Sequence, residues 1–436
     1  MTAVSVSGRS APTSDPHAFG AATSLSCREC GATYPLGAAY SCVECFGPLE
    51  VSYRFEGITR ARIESGPASI WRYAPLLPVA PWAADEANLA PGFTKLVAAR
   101  NLAAAVGITG PLWVKDDSGN PTHSFKDRVV AVAQSAARRL GLSTLACAST
   151  GNLANAVAAA AARAGQPSVV LIPSDLEAGK TVTTATYGGT LLAIEGTYDD
   201  VNRLCSELIG EAVTADWGFV NVNLRPYYAE GSKTLGYELA EQLGWRLPQQ
   251  VVIPVASGAL LTKVDKGFRE LIRLGLVEDT PYRIFGAQAQ GCSPVAQAFE
   301  AGWEVVRPVR PRTIAKSLAI GNPADGLYAL DVARRTQGAI GAVSEQEIVE
   351  GITLLARTEG IFAETAGGVT VATLRRLVAS GQLDPTAETV VLNTGDGLKT
   401  LDAVSDHVSV TATIRPRVGD AVAALHHPAP TEGPHA

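Results

Sequence analysis

Short runs of apolar, often β-branched residues alternate with longer stretches rich in alanine and leucine from about residue 100 onward. The runs predicted to be strands read LWVKD, TLACAS, SVVLIP, LLAIEG, FVNVN, VVIPVAS, RIFGAQ and TVVLNT. The stretches predicted to be helices begin near residues 127, 152, 180, 199, 232, 259 and 294. Apolar strands that are each followed by a helix are typical of βαβ units, whose parallel strands are covered on both faces. The alternation therefore predicts an α/β fold, with enough strands for two mostly parallel sheets flanked by helices.

The composition indicates an ordinary globular protein, because 47% of the 436 residues are hydrophobic and 18% are charged. The net charge of −6 offers neither nucleic acid nor an anionic membrane a broad electrostatic attraction. Residues 1–20 contain no apolar run of the kind found in a secretory signal. Residues 140–162 carry no charge, but their hydroxyl and carboxamide side chains would be costly in lipid. We expect a cytoplasmic protein with no membrane or nucleic-acid partner.

Two cysteine pairs near the N-terminus, CREC and CVEC, form a C-x2-C-x11-C-x2-C pattern. The residues are Cys27, Cys30, Cys42 and Cys45. Each pair can fold as a knuckle that points two thiolates at one metal ion, and two knuckles complete the tetrahedral site that zinc prefers. The pattern predicts structural zinc in a zinc-ribbon-like module, with a ribbon without metal and a set of disulfides as the alternatives. The remaining cysteines lie in apolar contexts that favour core packing: Cys147, Cys205 and Cys292.

Four turns that follow predicted strands carry unusual polar residues, and ligands of open α/β folds gather at such turns. In the first turn, SFKDR, Lys126 stands at the start of a predicted helix, where the helix dipole disfavours a protonated amine. A neutral amine at this place can act as a nucleophile or form an imine. The alternative for these residues alone is a solvated surface lysine.

The second turn, ASTGN, presents Ser149, Thr150 and Asn152 together with backbone N–H groups at a helix N-terminus, which suits a carboxylate. The third, PVASGALL, can aim the N–H groups of residues 257–259 at a phosphate. The fourth, NTGDGLKT, ends a strand with a threonine and two glycines. The third and fourth turns are equally consistent with ordinary connections between elements.

Taken together, these stretches resemble the fold type II pyridoxal phosphate enzymes, and most closely the threonine synthase family. The matching motifs are NPTHSFKDR, ASTGN, PVASGALLTK, ETAGGVTVATL and NTGDGLKT, and the resemblance runs from about residue 90 to about 405. Some members of this family also carry a short cysteine-paired segment ahead of the catalytic fold. The resemblance implies a tryptophan synthase β-like architecture of two domains, each a mostly parallel sheet flanked by helices, behind the small four-cysteine module.

The resemblance also implies roles for individual residues around pyridoxal 5'-phosphate. Lys126 would hold the cofactor covalently and move protons, Asn152 would face the ring oxygen, and Thr394 would face the pyridine nitrogen. Asp396, two residues further on, is the alternative to Thr394. The cofactor phosphate would be bound by Ser257, Gly258, Ala259 and Leu260. The substrate carboxylate would be bound by Ser149 and Thr150.

The substrate implied by the resemblance is O-phospho-L-homoserine, which reacts with water to give L-threonine and phosphate. This reaction needs a second, cationic pocket for the substrate phosphate. The candidates are Lys115, Asn223 and Arg225, with Arg128 as a further one. His123 stands where the family often has glycine, so a contact with the substrate phosphate and a local role in the loop are both open.

The chain divides into five predicted segments. They are a flexible tail over 1–25, the four-cysteine module over 26–57, a large cofactor-binding domain over 58–135 and 236–413, a small domain over 136–235, and a disordered tail over 414–436 with His426 and His427. We expect a homodimer. The open alternatives are a threonine or serine dehydratase, a cysteate synthase-like β-replacement enzyme, and a zinc-ribbon adaptor with a degenerate enzyme domain. The four-cysteine module has more glutamates than basic residues, which disfavours a nucleic-acid adaptor.

Overall fold

The computed structural model describes residues 19–80 and 89–426. The strands in these ranges are β1 (Ala22–Cys27), β2 (Thr33–Tyr34), β3 (Leu49–Tyr53), β4 (Lys95–Ala98), β5 (Leu112–Asp116), β6 (Thr144–Ala148), β7 (Ser168–Pro173), β8 (Thr190–Ile194), β9 (Trp217–Phe219), β10 (Gln250–Pro254), β11 (Arg283–Ala289), β12 (Ile340–Val343) and β13 (Thr389–Asn393). The helices are α1 (Arg60–Glu64), α2 (Arg100–Val106), α3 (Lys126–Arg139), α4 (Asn152–Arg163), α5 (Ala178–Thr186), α6 (Tyr198–Leu208), α7 (Arg225–Gly231), α8 (Lys233–Gln242), α9 (Ala259–Arg273), α10 (Pro294–Glu300), α11 (Gly326–Arg335), α12 (Glu345–Glu359), α13 (Thr365–Ala379) and α14 (Val418–His426).

The larger sheet has six strands in the order β12-β11-β10-β13-β5-β4. Neighbouring strands are parallel except at one edge, where β4 runs antiparallel to β5. The central strands β10 and β13 are buried along their whole length, in keeping with their near-continuous apolar runs. Helices α2, α12 and α13 pack on one face of this sheet, and α9 and α11 pack on the other.

The smaller sheet has four parallel strands in the order β8-β7-β6-β9. The prediction of a strand through FVNVN is wrong beyond its first residue, because β9 ends at Phe219. The carboxamide of Asn223 closes the following turn. Its Oδ1 accepts from the Phe219 N–H at 2.8 Å, and its Nδ2 donates to the Trp217 carbonyl at 3.1 Å.

The two ends of the described chain are more ordered than expected. At the N-terminus, β1 pairs with β2 and β3 in a three-stranded antiparallel sheet, so residues 22–25 of the predicted flexible tail belong to this sheet. At the C-terminus, residues 418–426 of the predicted disordered tail form α14. Residues 1–18 and 427–436, with His427, lie outside the described residues.

The uncharged stretch over residues 140–162 is not a membrane span. It consists mainly of β6, a turn and α4, and both elements are almost entirely buried in the protein. Across the described residues, we find no helix with the length and apolarity needed to cross a bilayer.

A buried network of charged groups joins α3 to α8 and to the turn after β5. The Arg128 guanidinium donates to Asp117 at 2.6 and 2.8 Å and to Glu238 at 2.5 and 2.8 Å. The Lys115 amine lies 2.7 Å from the same Glu238 carboxylate. Burial raises the pKa of Glu238, but Arg128 and Lys115 outweigh burial and lower the value to about 2. All four charged groups are buried, so the stability of the folded protein depends on each of them keeping its partners.

We expect Glu238→Gln to lower the free energy of unfolding by about 3–5 kcal/mol, because Arg128 and Lys115 would lose their shared counter-charge. Urea unfolding, followed by tryptophan fluorescence and circular dichroism, measures the change. Glu207→Gln is the matched control. It removes an exposed pair with Arg203 and should cost no more than about 0.5 kcal/mol. Equal losses for the two variants would contradict a structural role of the buried network.

Candidate active site

Residues that follow the carboxyl ends of strands from both sheets line two adjoining cavities. The larger cavity has a volume of about 380 Å³ and the smaller one of about 60 Å³. Both cavities are lined by Lys126, Tyr228, Ala256, Ser257, Ala259 and Ser317. Further predicted residues in the larger cavity are Ser149, Thr150 and Arg225. Further predicted residues in the smaller cavity are Asn152, Gly258, Leu260 and Thr394.

Lys126 is the first residue of α3 and reaches both cavities. Its amine donates to the Tyr228 hydroxyl at 3.2 Å. Burial lowers the pKa of Lys126 to about 8, and the nearby Glu364 carboxylate partly opposes this shift. Lys126 is therefore not a solvated surface lysine. Its amine is neutral in a large fraction of molecules at mildly alkaline pH and can act as a nucleophile or base.

The start of α4 presents polar groups to the larger cavity. The Ser149 Oγ accepts from the backbone N–H groups of Gly151 and Ala154 at 2.9 and 2.8 Å, which leaves its own O–H as a donor. Gly151 has a φ of +118°, and a Cβ there would lie 2.1 Å from the Cδ of the buried Lys180. Thr150 lines the cavity beside Ser149. These hydroxyls at a helix N-terminus suit an anionic group of the size of a carboxylate.

Asn152 is held by a carboxylate that the sequence reasoning did not identify. Its Nδ2 donates to both carboxylate oxygens of Glu364 at 2.8 Å. Its Oδ1 is buried and has no hydrogen-bond partner among the described residues. Because buried polar atoms are nearly always paired, this oxygen indicates a polar ligand in the smaller cavity.

The turn after β10 forms one end of the smaller cavity. Gly258 has a φ of +93°, and a Cβ there would lie 2.6 Å from the Asp325 carbonyl oxygen, so this tight turn requires glycine. Helix α9 begins directly after it, at Ala259, and runs for 15 residues. The N–H groups of a first helical turn have no partner within the helix, so this turn can bind a phosphate.

Thr394 and Asp396, the two candidates for contact with the ring nitrogen, differ in their position relative to the smaller cavity. Thr394 lines the smaller cavity. Asp396 lines neither cavity, and its carboxylate accepts from the Leu398 N–H at 2.8 Å as a cap of the following turn. The geometry therefore favours Thr394 over Asp396 for contact with a ligand.

Lys115 and Asn223 do not reach the cavities, so their predicted contact with a substrate phosphate is corrected. The buried amine of Lys115 donates to the Thr94 carbonyl, Glu238 and Gln242 at 2.7–2.9 Å. The carboxamide of Asn223 is used in the turn after β9. The polar groups of both side chains already form hydrogen bonds within the protein, so they are not available to a substrate phosphate.

Arg128 and His123 also lie outside both cavities. The guanidinium of Arg128 is fully used in the buried network. His123 is exposed, with its Nδ1 4.0 Å from the Asp396 carboxylate. Its φ of +60° lies in the left-handed region that favours glycine. This agrees with the glycine that the family which the sequence resembles often has at this place.

Arg225 is the predicted phosphate ligand that does line the larger cavity. Its guanidinium lies 2.7 Å from the Asp325 carboxylate, which lines the same cavity. The sequence assigned no role to Asp325 and Tyr228, and Glu364 entered only as the first residue of the ETAGGVTVATL motif. The one local signal for Tyr228 was its position in RPYY, three residues after Arg225, where two bulky polar-tipped side chains start a helix.

We expect acetic anhydride to label Lys126 in cofactor-free protein at a rate that rises with pH through a midpoint near 8 before it reaches a plateau, because only the neutral amine reacts. Mass spectrometry of the labelled peptide measures the profile. Glu364→Gln should move the plateau to lower pH, since its charge favours the protonated amine. Glu278→Gln, at an exposed site, should leave the profile unchanged. A midpoint close to the ordinary lysine pKa of 10.5 would contradict the burial of the amine.

Comparisons with known proteins place these residues in a family. A family model described as "Pyridoxal-phosphate dependent enzyme" matches residues 87–395. A threonine synthase of Methanocaldococcus jannaschii is 35% identical over 386 residues, which are 86% of this chain and 93% of that protein. A threonine synthase of Methanosarcina acetivorans is 37% identical over 391 residues, which are 88% of this chain and 93% of that protein.

Solved structures confirm the predicted α/β fold. An L-serine ammonia-lyase of the fungus Rhizomucor miehei aligns with a TM-score of 0.60 and 21% identity, over 72% of this chain and 96% of that chain. An O-ureido-L-serine synthase aligns with a TM-score of 0.60 and 19% identity, over 79% of this chain and 100% of that chain. From the family match and the similarity to these relatives over most of their length, the chain belongs to the pyridoxal-phosphate dependent enzymes and, among them, to the threonine synthase family.

Proposed function

We propose that the chain is a threonine synthase that converts O-phospho-L-homoserine and water to L-threonine and phosphate. The observation that carries the proposal is the set of side chains that line the larger cavity. They include an amine, several hydroxyls that can bind an anion, and a guanidinium. This combination suits a substrate with a carboxylate at one end and a phosphate at the other. The shared name of the curated relatives supports the same reaction.

The residues of the smaller cavity fit pyridoxal phosphate. The unpartnered Asn152 Oδ1 calls for a polar ligand, and the glycine turn before α9 leaves room for a phosphate against backbone N–H groups. We assign covalent attachment to Lys126, the ring oxygen to Asn152 and the ring nitrogen to Thr394. The cofactor phosphate is assigned to Ser257, Gly258, Ala259 and Leu260. When bound, the cofactor supplies an electron sink for the substrate carbons.

Proton transfer is assigned to Lys126. An amine with a pKa of about 8 can accept a proton from the substrate Cα or Cβ and return it at a pH near its own value. The Tyr228 hydroxyl, 3.2 Å from this amine, holds it in place between the two cavities. Ser149 and Thr150 bind the carboxylate and thereby fix which substrate proton faces Lys126.

Arg225 is proposed to bind the substrate phosphate. Lys126 and Arg225 are the Lys and Arg side chains that line the larger cavity in the described structure, and Lys126 has another task. The planar guanidinium suits a phosphate group, which would compete with Asp325 for it. A dehydratase acting on free threonine or serine has no phosphate to bind, so Arg225 favours the phosphorylated substrate.

We also propose that the four-cysteine module binds zinc. The four Sγ atoms lie within 4.8 Å of one another. The Cys27 and Cys45 sulfurs are 3.4 Å apart, and the Cys30 and Cys42 sulfurs are 3.6 Å apart. Zn–S bonds of about 2.3 Å in a tetrahedron separate the sulfurs by about 3.8 Å, so little movement is needed. Paired cysteines that bind metal are typical of cytosolic proteins, which agrees with the proposal of a cytoplasmic enzyme.

The homodimer remains a prediction that derives from the resemblance alone. Sedimentation velocity of the cofactor-loaded protein measures the assembly state. A monomer at assay concentrations would contradict it.

We expect protein purified without chelator to contain about one zinc ion per chain, because four convergent thiolates bind zinc tightly. Elemental analysis measures the ratio. Cys30→Ser combined with Cys45→Ser should abolish it, whereas Cys292→Ser, in the core of the larger domain, should not. A ratio near zero in the unaltered protein would leave the module without its metal.

We expect purified, cofactor-loaded protein to release phosphate and L-threonine in equal amounts from O-phospho-L-homoserine. Lys126→Ala should lower the rate at least about 1,000-fold, since it removes the group that attaches the cofactor and moves protons. Lys95→Ala, at an exposed position on β4, is the matched control and should leave the rate unchanged. Phosphate release without L-threonine would indicate another reaction of the same family.

A further inference from the structure

The four-cysteine module forms part of the larger cavity. Four of its residues line this cavity together with Lys126, Thr150 and Arg225. These four residues, called the module wall below, are Tyr40, Ser41, Phe46 and Pro48. In the described structure, no residue of the module lines the smaller cavity, where the cofactor is assigned. The module therefore adjoins the substrate side of the site and not the cofactor side.

The shape of the module wall follows from the second cysteine knuckle. Cys42 and Cys45 lie between its two halves, and backbone hydrogen bonds close the loop around them. Cys42 N–H donates to the Gly47 carbonyl at 2.8 Å, Phe46 N–H to the Cys42 carbonyl at 3.1 Å, and Leu49 N–H to the Tyr40 carbonyl at 3.1 Å. A metal held by Cys42 and Cys45 would thus fix the residues on either side of them.

Phe46 is the member of the module wall with an unusual conformation. It directly follows Cys45 and has a φ of +60°, in the left-handed region that is costly for a bulky side chain. Its side chain is also 82% exposed, so core packing does not compensate for the strain. Gly31 has the equivalent position in the first knuckle and a φ of +74°, so the knuckle fold itself sets this conformation and places Phe46 at the cavity.

The first knuckle does not line the larger cavity, but a charged group connects it to Asp325, which does. Arg28, between Cys27 and Cys30, lies 3.9 Å from the Asp325 carboxylate. Asp325 in turn holds Arg225, the proposed phosphate ligand, at 2.7 Å. The Arg28 guanidinium also stacks 3.5 Å above the Tyr328 ring. The second knuckle therefore lines the substrate side of the site, and the first knuckle contacts it through Arg28 and Asp325.

The module is attached to the catalytic body by contacts that do not involve the cysteines. The Tyr53 hydroxyl donates to Glu230 at 2.6 Å, and Lys263 donates to Glu50 at the same distance. Glu230 lies on α7, the helix that also carries Arg225 and Tyr228. Loss of the metal would therefore loosen the knuckles while β3 stays in place.

We infer that metal binding by the four-cysteine module fixes the module wall and thereby sets the affinity for the substrate, without contributing to cofactor attachment. The inference rests on the proposed function, because it assigns the larger cavity to the substrate. The metal would position the module wall and would not contact the reacting atoms. Its loss should weaken substrate binding and leave the chemical step nearly unchanged.

The test compares full-length, cofactor-loaded variants. Cys30→Ser combined with Cys45→Ser removes the metal site, and Phe46→Ala removes the exposed ring while keeping all four thiols. Phe46→Tyr keeps the ring, and Val43→Ala changes an exposed residue of the same knuckle that does not line the cavity. The readouts are metal content, the absorbance of the bound cofactor, KM and kcat for O-phospho-L-homoserine, and the Kd of L-threonine from the change in cofactor absorbance.

We expect the double cysteine variant to lose metal, to keep the cofactor absorbance, and to show a rise in KM and in the Kd of L-threonine of about tenfold. Its kcat should stay within about twofold of the unaltered enzyme. Phe46→Ala should raise KM and Kd in the same direction with its metal retained. Phe46→Tyr, which keeps the ring, should recover most of the binding lost in Phe46→Ala, and Val43→Ala should match the unaltered enzyme.

Unchanged KM and Kd in a metal-free double variant would overturn the inference, as would loss of the cofactor absorbance in that variant. If the double variant does not fold, Phe46→Ala decides, because unchanged binding in it would remove the module wall from the site. Failure of the proposed function has a different signature. The unaltered protein would then release no L-threonine from O-phospho-L-homoserine, while the Kd comparison among variants would still test the wall.

Discussion

The buried guanidinium of Arg128 is the interaction on which the arrangement of the site depends. It joins the start of α3 to Asp117, after β5, and to Glu238 on α8. A guanidinium does not lose its proton in a protein, so the folded chain must keep both carboxylates beside it. Its planar fork also fixes the direction of each partner. Lys126 lies two residues earlier on the chain, so the network also holds the start of its helix. Its amine donates to the Tyr228 hydroxyl and is not part of an ion pair in the described structure.

The turns after strands could be predicted from the sequence because parallel strands bring their carboxyl ends to one edge. This geometry explains why Lys126, Ser149, Asn152, Gly258 and Thr394 meet around two adjoining cavities, although up to 268 positions separate them along the chain. Gly258 and the small polar residues after β6 could be recognised in the sequence because these residue types favour tight turns and helix starts. The four cysteines carried comparable information in their spacing, and their sulfurs do converge.

Other site residues could not be predicted, for physical reasons that differ between them. Lys115 and Asn223 have suitable side chains, but strand alternation and a turn direct them to partners elsewhere. Tyr228 reaches the site from α7 and Glu364 from the residue before α13, and tertiary packing sets the orientation of both helices. The module wall depends on how an N-terminal segment docks on α7 and α9, and local patterns do not encode such docking.

The hydrogen bonds between Asn152 and Glu364 have a consequence for how the cleft opens. Asn152 begins α4, which packs on the smaller sheet, and Glu364 directly precedes α13, which packs on the larger sheet. These hydrogen bonds thus connect the part of the chain around the smaller sheet to the part around the larger sheet. Hydrogen bonds to a charged group contribute about 1.5–3 kcal/mol each, an amount that a tightly held ligand can replace. A ligand that accepts a hydrogen bond from the Asn152 Nδ2 would compete with Glu364 for it and weaken this contact, whereas a ligand that donates to the free Oδ1 would leave the contact in place.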